Sequence, residues 1–447
     1  MPATELHQPV QTPPPETDIA IVGGGMVGLS LALMLANTLP DASITLLESL
    51  PFAANTESEA QARAYQPSFD ARTSALAYGS RALLDAMGVW DELAEHITSV
   101  RTVHVSDRGH IAGCRMTAEE YSVPALGYVT DNRWLGHCLL KAARQRENIT
   151  LVAPCEVQQA QAVAKGYRLT VNSQGECHTV TAKLAVVADG ARSRLRQSLG
   201  IEATTKHYEQ TAIIANVAFS QPHQGVAYER FTAEGPVAIL PRGESPEARE
   251  GALIWTRPHQ SAEALAECAE SDFAKQLQQA FGHRLGRFVR IGERTVYPLQ
   301  LIQANEQIRP HVVLMGNAAH ALHPVAGQGF NLSLRDCARL AEVMAAKQKA
   351  GSPLGDLSSV QAYQQAQARD QQLTVNFSDL LPRLFSSRHP LQAAARGLGL
   401  WCLELLPQAK AQLAQQSMGQ RGRGFHGLGA ISTTPATAKS LAKSVGA

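Results

Sequence analysis

The feature that most constrains this chain is Gly23-Gly24-Gly25-Met26-Val27-Gly28, a G-x-G-x-x-G run set between two apolar segments. Ahead of it, Asp18-Ile-Ala-Ile-Val22 has the unbroken apolar character of a strand buried on both faces. Behind it, Met26 to Ala36 reads as a helix ended by Asn37 and Pro40. Ser43-Ile-Thr-Leu-Leu-Glu48 reads as a second buried strand, closed by an acid 20 residues after Gly28. Together these make one βαβ unit.

Each glycine has a physical reason in such a unit. Gly23 permits a tight turn, Gly25 lets the backbone approach a pyrophosphate, and Gly28 lets helix and strand pack closely. The first helical N–H groups, carrying about half an elementary charge, are the expected phosphate seat. Glu48 is the expected acceptor for adenosine ribose hydroxyls. A plain Gly-rich turn with a strand-end Glu is the bland alternative, and the fingerprint alone does not separate FAD from NAD. Residues 19–36 are also apolar for long enough to imitate a membrane span. Glycines weaken a helix by about 1 kcal/mol each, and nothing basic precedes Arg63 as a signal peptide requires. The βα turn is the better account.

The chain has 447 residues, 45% hydrophobic and 18% charged, which excludes disordered, collagen-like and coiled-coil classes and predicts two or three domains. A net charge of +1 and 5% aromatic residues argue against a nucleic-acid partner. That small total hides two opposite ends. Residues 1–62 hold seven acids and no Lys or Arg, so phosphates there are expected to be held by backbone N–H groups rather than local basic side chains. Residues 381–447 hold eight bases and one acid. The seven cysteines include no Cys-x-x-Cys, which argues against a disulfide framework or structural zinc and for a reducing compartment.

Further along, residues 1–16 read as a flexible Pro-rich leader, 72–97 as helical with a stop at Gly88, and 132–145 as another helix. A strand pattern at 183–189 meets Gly190. Strand-like segments follow at 210–219, 225–231, 236–241, 251–257 and 295–302, interrupted by a helix near 261–280. The parallel pattern returns at 311–316, with a helix from about Leu332. The expected fold is α/β (α+β overall): a Rossmann-type dinucleotide-binding domain, with an inserted mixed or antiparallel-sheet substrate domain and a C-terminal helical region. The first domain is expected at 17–102, 126–205 and 303–360, the second at 103–125 and 206–302, the helical region at 361–417 and a flexible tail at 418–447.

Two later motifs carry chemistry. Asp189-Gly190-Ala-Arg192-Ser193-Arg194 follows a strand and opens a helix, although Asp-Gly is also an ordinary turn. Gly316-Asn317-Ala-Ala-His320-Ala-Leu-His323-Pro324-Val-Ala-Gly327-Gln-Gly329-Phe330-Asn331 is more specific. Its glycines let a flat ring approach the backbone, and the following helix start offers N–H groups to developing negative charge.

On these three ordered motifs, with Asp70-x-Arg72-x-x-Ala-Leu76 and Tyr297-Pro298-Leu299, the chain resembles the FAD-dependent aromatic hydroxylases of the para-hydroxybenzoate hydroxylase type. Within them it resembles the ubiquinone-biosynthesis hydroxylases through Phe69–Leu76, Glu229–Pro241 and His323–Leu332, and most of all the 2-octaprenyl-6-methoxyphenol hydroxylase branch. One departure is Asn317, where that family usually has Asp; Asn keeps an acceptor oxygen and loses the charge.

The resemblance implies bound FAD, with NAD(P)H as a transient hydride donor and O2 adding at flavin C4a to give the hydroxylating hydroperoxide. It implies that Gly23, Gly25, Gly28 and Glu48 hold the ADP part and that Asn317 meets the ribityl chain. Pro324, Gly327, Gly329, Phe330 and Asn331 would line the isoalloxazine. Arg72 would lie near the pyrophosphate or the mobile flavin, and Asp189 and Gly190 would support FAD and NAD(P)H. Candidates for assisting the phenol are His320, His323, Tyr297 and Arg242, each with a structural role as the alternative. His320-x-x-His323 has no third ligand nearby, so no metal is expected. The implied substrate is a polyprenylated phenol. The basic C-terminal end, with Leu398–Leu406, is the expected contact to the inner face of a membrane or to other ubiquinone-biosynthesis proteins, and the expected location is cytoplasmic. A flavin-dependent isoprenoid-lipid reductase and a non-catalytic flavoprotein subunit remain as alternatives.

Overall fold

The computed structural model describes residues 12–52, 72–108, 113–322, 327–385 and 407–419. Strand β1 (Glu16–Val22) leads through the glycine turn into helix α1 (Met26–Thr38) and back into β2 (Ile44–Leu47). The strands run parallel, Ile19 opposite Ile44 and Val22 opposite Leu47. Helix α1 is buried without a break from Gly28 to Ala36. A helix apolar on all sides must lie inside a core, which explains its likeness to a span. Among the described residues, no helix is long and apolar enough to cross a membrane.

The helical pattern expected over 72–97 is only partly realised. Thr73–Ala77 forms strand β3, followed by α2 (Tyr78–Ala86), the single turn α3 (Trp90–Leu93) and β4 (Ile97–Val100). Both strands pair antiparallel with Gly127–Asp131, and this distant pairing overrides local propensity. Next come β5 (Thr102–Asp107), β6 (Gly113–Thr117) and β7, the Gly127–Asp131 strand just mentioned. Helix α4 (Asn132–Arg144) is N-capped by Asp131, whose carboxylate accepts the Arg133 N–H at 3.0 Å.

Strand β8 (Ile149–Val152) joins β2 in parallel. Then β9 (Glu156–Val163), β10 (Gly166–Ser173) and β11 (Glu176–Val187) form an antiparallel meander absent from the sequence reading. Only the far half of β11, buried beside β1, carries a strong apolar signal. After the short helix α5 (Arg194–Ser198), β12 (Ala203–Phe219) runs for 17 residues, with a register shift between His207 and Thr211 where Glu209 has φ +55°.

The second sheet continues with β13 (Val226–Phe231), β14 (Val237–Arg242) and β15 (Glu250–Pro258). Two helices, α6 (His259–Glu267) and α7 (Glu270–Phe281), replace the single one expected over 261–280. Strands β16 (Phe288–Ile291) and β17 (Thr295–Ala304) follow. The chain returns to the first sheet through β18 (Ile308–Arg309) and β19 (Val312–Leu314), and β20 (His320–Ala321) pairs with β17. Helix α8 (Gln328–Lys349) starts four residues before Leu332, on the left-handed Gly327 at φ +60°. Helices α9 (Leu357–Phe385) and α10 (Pro407–Ser417) end the described chain. Leu398–Leu406 and the tail beyond Gly419 lie outside the described residues.

The first sheet has the order β18-β19-β11-β1-β2-β8, parallel from β19 to β8. Helix α1 packs against α4 and α8 on one of its faces. The second runs β20-β17-β12-β15-β14-β13-β5-β6 and is antiparallel except between β13 and β5. Its strands alternate with period two. Phe219, Ile239, Leu253 and Trp255 turn to one face and are buried with Phe273 and Phe281 of α7. Ile214, Ala238, Leu240 and Ile254, of the opposite parity, line a cavity that Gly23 and Gly25 also border. The expected α/β class, with a Rossmann-type unit and a mixed second sheet, is what the structure shows.

Candidate active site

The glycine loop is held by contacts that no larger residue allows. Gly23 sits at φ +111°, and a Cβ there would lie 2.5 Å from the Ala188 carbonyl oxygen. A Cβ on Gly28 would lie 1.9 Å from the Gly23 carbonyl oxygen. Gly25 is the N-cap of α1, whose first turn has neither a side-chain cap nor an acid. The positive helix end therefore stays available to an anion. Glu48 is 6% exposed. One of its oxygens accepts the Gly24 N–H at 2.6 Å and the other accepts the Leu50 N–H at 3.0 Å. These bonds fix a carboxylate at the edge of the loop.

Asp189 follows β11, and its carboxylate accepts the Leu195 N–H at 3.4 Å. Burial pushes its carboxyl above the usual range, against the lowering effect of Ser193 and Leu195. Asn317 lies in the 3-10 turn Gly316–Ala318 after β19. That turn is pinned by the buried Arg196 guanidinium, which donates to the Ala318 carbonyl at 2.9 Å. Asn331 is 1% exposed. Its amide oxygen accepts the Ala77 N–H and the Ser80 hydroxyl, and its amide nitrogen donates to the Ala75 and Gly327 carbonyls, all at 2.8 Å.

Most of these groups border one cavity of about 1150 Å³. Gly23, Gly25, Glu48, Arg72, Asp189 and Gly190 line it, and so do Asn317, Gly327, Gly329, Phe330 and Asn331. Gly28 stands behind the loop as a packing residue. Pro324 and His323 lie outside the described residues. The other three proton-handling candidates stand away from the cavity lining. His320 is buried, with Nε2 2.8 Å from Asp336 Oδ2. Arg242 pairs with Asp131 at 3.4 Å. Tyr297 lies under the Arg72 guanidinium, 4.7 Å from it to the ring centre.

Two features escape the sequence reading. The absence of bases before Arg63 does not make the site free of them, because the fold brings Arg72, Arg192 and Arg194 to the same cavity. The cavity also extends over the open face of the second sheet, where Val103, Val105, Met116, Ala227, Leu240 and Ile254 make an apolar wall. Glu229 stands in that wall, and burial pushes its carboxyl up to about 7. The period-two alternation of β13 and β14 was the available signal, but which face looked inward depended on α6 and α7 covering the other.

The residues present fit a flavin dinucleotide. The loop is cleared of Cβ atoms, the helix end is uncapped by acids, and the volume exceeds the roughly 300–1,000 Å³ of ordinary ligand sites. A family model described as FAD binding domain matches residues 16–371. The ubiquinone hydroxylase UbiL of Rhodospirillum rubrum is 34% identical over 402 residues, covering 90% of this chain and 89% of that protein. The 3-demethoxyubiquinol 3-hydroxylase of Escherichia coli is 30% identical over 409 residues, covering 90% and 98%. The crystal structure of p-nitrophenol 4-monooxygenase PnpA from Pseudomonas putida DLL-E4 shares the fold, with a TM-score of 0.72 at 17% identity over 92% of this chain and 99% of that one. The chain belongs to the FAD-binding-domain family, and within it to the flavoprotein monooxygenases.

Proposed function

We propose that this protein is an NAD(P)H-dependent FAD monooxygenase that hydroxylates a polyprenylated phenol in ubiquinone biosynthesis, in the manner of a 2-octaprenyl-6-methoxyphenol hydroxylase. The observation that carries this is the single cavity running from the dinucleotide loop to an apolar sheet face. One end suits a charged, phosphate-bearing cofactor and the other an apolar ring with a prenyl chain. The names of the two bacterial relatives support the pathway.

The flavin, when bound, supplies the electrophilic oxygen drawn from O2 with electrons from NAD(P)H. The chain supplies position and a dry enclosure. Gly23, Gly25 and the α1 N-terminus seat the pyrophosphate, Gly28 keeps that helix end in place, and Glu48 accepts ribose hydroxyls. Asn317 takes the ribityl chain. Gly327, Gly329 and Phe330 wall the ring. Asn331, its amide fully engaged, fixes that wall rather than donating to the ring. Asp189, Gly190 and Arg72 border the same cavity; Asp189 and Gly190 would support FAD and the transient nicotinamide cofactor, and Arg72 the pyrophosphate or the mobile flavin.

The apolar sheet face excludes water, which would otherwise waste the activated oxygen as peroxide. Ala414 and Met418, at the end of α10, complete its lining, and the Gly79 N–H donates to the Met418 carbonyl at 2.8 Å. Each prenyl CH2 buried there contributes about 0.8 kcal/mol. The same hydrophobicity requires delivery from a membrane or carrier, for which the C-terminal bases other than Lys410, which pairs with Glu120, are suited. The test is to delete the gene and identify the quinone intermediate that accumulates. A prenylated phenol lacking one ring hydroxyl supports the reading. An intermediate differing in chain saturation favours a reductase.

A further inference from the structure

We propose that Glu229 is the catalytic base of this hydroxylation, accepting the phenolic proton of the substrate. The proposal rests on the reading above, that the apolar end of the cavity receives a phenol.

Strand registers place Glu229 in one row across the second sheet. Val105 of β5 and Ala238 of β14 are its direct neighbours. Beyond them, Cys114 pairs with Val105, Ile254 with Ala238, and Ile214 with Ile254. All six line the cavity. A carboxyl group thus stands in the middle of a row of four aliphatic side chains and one thiol.

No charged group is paired with it. Among the described residues, Glu229 makes no hydrogen bond or ion pair, and desolvation alone moves its carboxyl. The adjacent Arg230 and Tyr228 turn to the opposite face of β13. On that face His104 sits against Tyr228 at 5.7 Å and feels Arg115, Arg230 and Arg284. The sheet separates that basic cluster from Glu229. Helix α10 presents Ala414, Ser417 and Met418 to the cavity. Besides Cys114 and Tyr228, the ionisable groups lining it are Arg72, Tyr128, Cys155, the Arg194–Glu156 pair and, at the dinucleotide loop, Glu48, Asp189 and Arg192. None of them is bonded to Glu229.

An unpaired carboxyl in an apolar wall destabilises a fold, and an aliphatic residue would pack better there. Its position is explained by a ligand that brings a hydroxyl to it. A base that changes charge near neutrality is matched to that task. In the step, the phenolic O–H bond breaks and its proton passes to a Glu229 carboxylate oxygen. The electron pair left on the phenol oxygen feeds the ring carbon, which forms a C–O bond to one atom of O2. The other oxygen atom leaves as water, with two electrons from NAD(P)H. The displaced ring hydrogen leaves as a proton when aromaticity returns, and Glu229 hands its own proton back to the product oxygen.

The experiment uses the FAD-loaded enzyme with 2-geranylphenol as the probe. Glu229→Gln is expected to retain flavin absorbance, lose about 100-fold in kcat with a smaller change in KM, and lose the rise of kcat through about pH 7. Glu229→Asp is expected to restore part of both. Wild-type kcat and pH profile in Glu229→Gln would overturn the proposal. A second measurement needs no variant: the infrared band of the protonated carboxyl at about pH 6 is expected to shift in frequency when 2-geranylphenol binds to the wild type, because the phenol hydroxyl hydrogen-bonds to it. An unchanged band overturns the proposal as well. A wild-type enzyme that binds flavin yet hydroxylates no prenylphenol overturns the functional reading itself, which separates the two failures.

Discussion

The side-chain oxygen of Asn331 accepts the backbone N–H of Ala77 at 2.8 Å, joining residues 254 positions apart. The same amide reaches Ser80, Ala75 and Gly327. One buried side chain thus locks the junction of β3 and α2 to the start of α8, the two segments that meet at the cavity wall.

Replacing Asn331 by Ala leaves two donors and two acceptors unpaired in a buried site. Loss of such a network destabilises by about 2–4 kcal/mol. Urea unfolding of the Asn331→Ala protein is expected to show a lower midpoint with an unchanged slope. A midpoint equal to that of the wild type would show that the bonds do not hold the junction.

Gly28 tests the loop. A Cβ 1.9 Å from the Gly23 carbonyl oxygen must displace α1 from β1. Gly28→Ala is therefore expected to purify without flavin absorbance. Gly351→Ala is the control: its φ is +81°, nothing lies within 4 Å of its Cβ, and it is expected to lose about 1 kcal/mol of stability and keep the flavin.

Asn317 lines the cavity from the turn after β19. Asn317→Asp keeps an acceptor of the same size and is expected to bind FAD within about threefold of the wild type. Asn317→Leu removes the acceptor and is expected to weaken FAD about tenfold. Equal affinities of the Leu variant and the wild type, measured by fluorescence of released flavin, would remove Asn317 from the cofactor site.

Glu229 also makes a prediction about stability. Its carboxyl is raised in the folded chain to about 7, above the unfolded value. Its contribution is therefore fully present below the unfolded value and is lost as pH rises through about 7. Glu229→Gln is expected to match the wild type near pH 4 and to exceed it near pH 8 by about 3 kcal/mol. Parallel stability curves at both pH values would place the carboxyl in contact with solvent.

The parts legible in the sequence were those whose signal is local. The βαβ unit announced itself because β1 and β2 are buried on both faces and α1 on all sides. Helix α4 was legible at 132–145, and the structure adds the Asp131 cap. Thr73–Ala77 was read as helix because its strand state exists only through pairing with β7. The β9 and β10 ribbon was missed because most of the β9 residues face solvent or are half-buried, leaving no apolar run. The glycine loop and the 316–331 segment gave up their cavity-lining residues, since backbone clearance is written in glycine spacing. The arginines arriving from 72, 192 and 194, and Glu229 on the far wall, are products of tertiary folding. Charge counted along residues 1–62 could not reveal them.

The central claim is oxygen insertion into a prenylated phenol at the cavity that joins the dinucleotide loop to the apolar sheet. The most direct measurement supplies the FAD-loaded protein with NAD(P)H, 2-geranylphenol and isotopically heavy O2, and weighs the product. The account predicts a hydroxylated phenol carrying one heavy oxygen atom for each nicotinamide oxidised. Nicotinamide oxidation without a labelled product, or a product whose new oxygen comes from water, would contradict it.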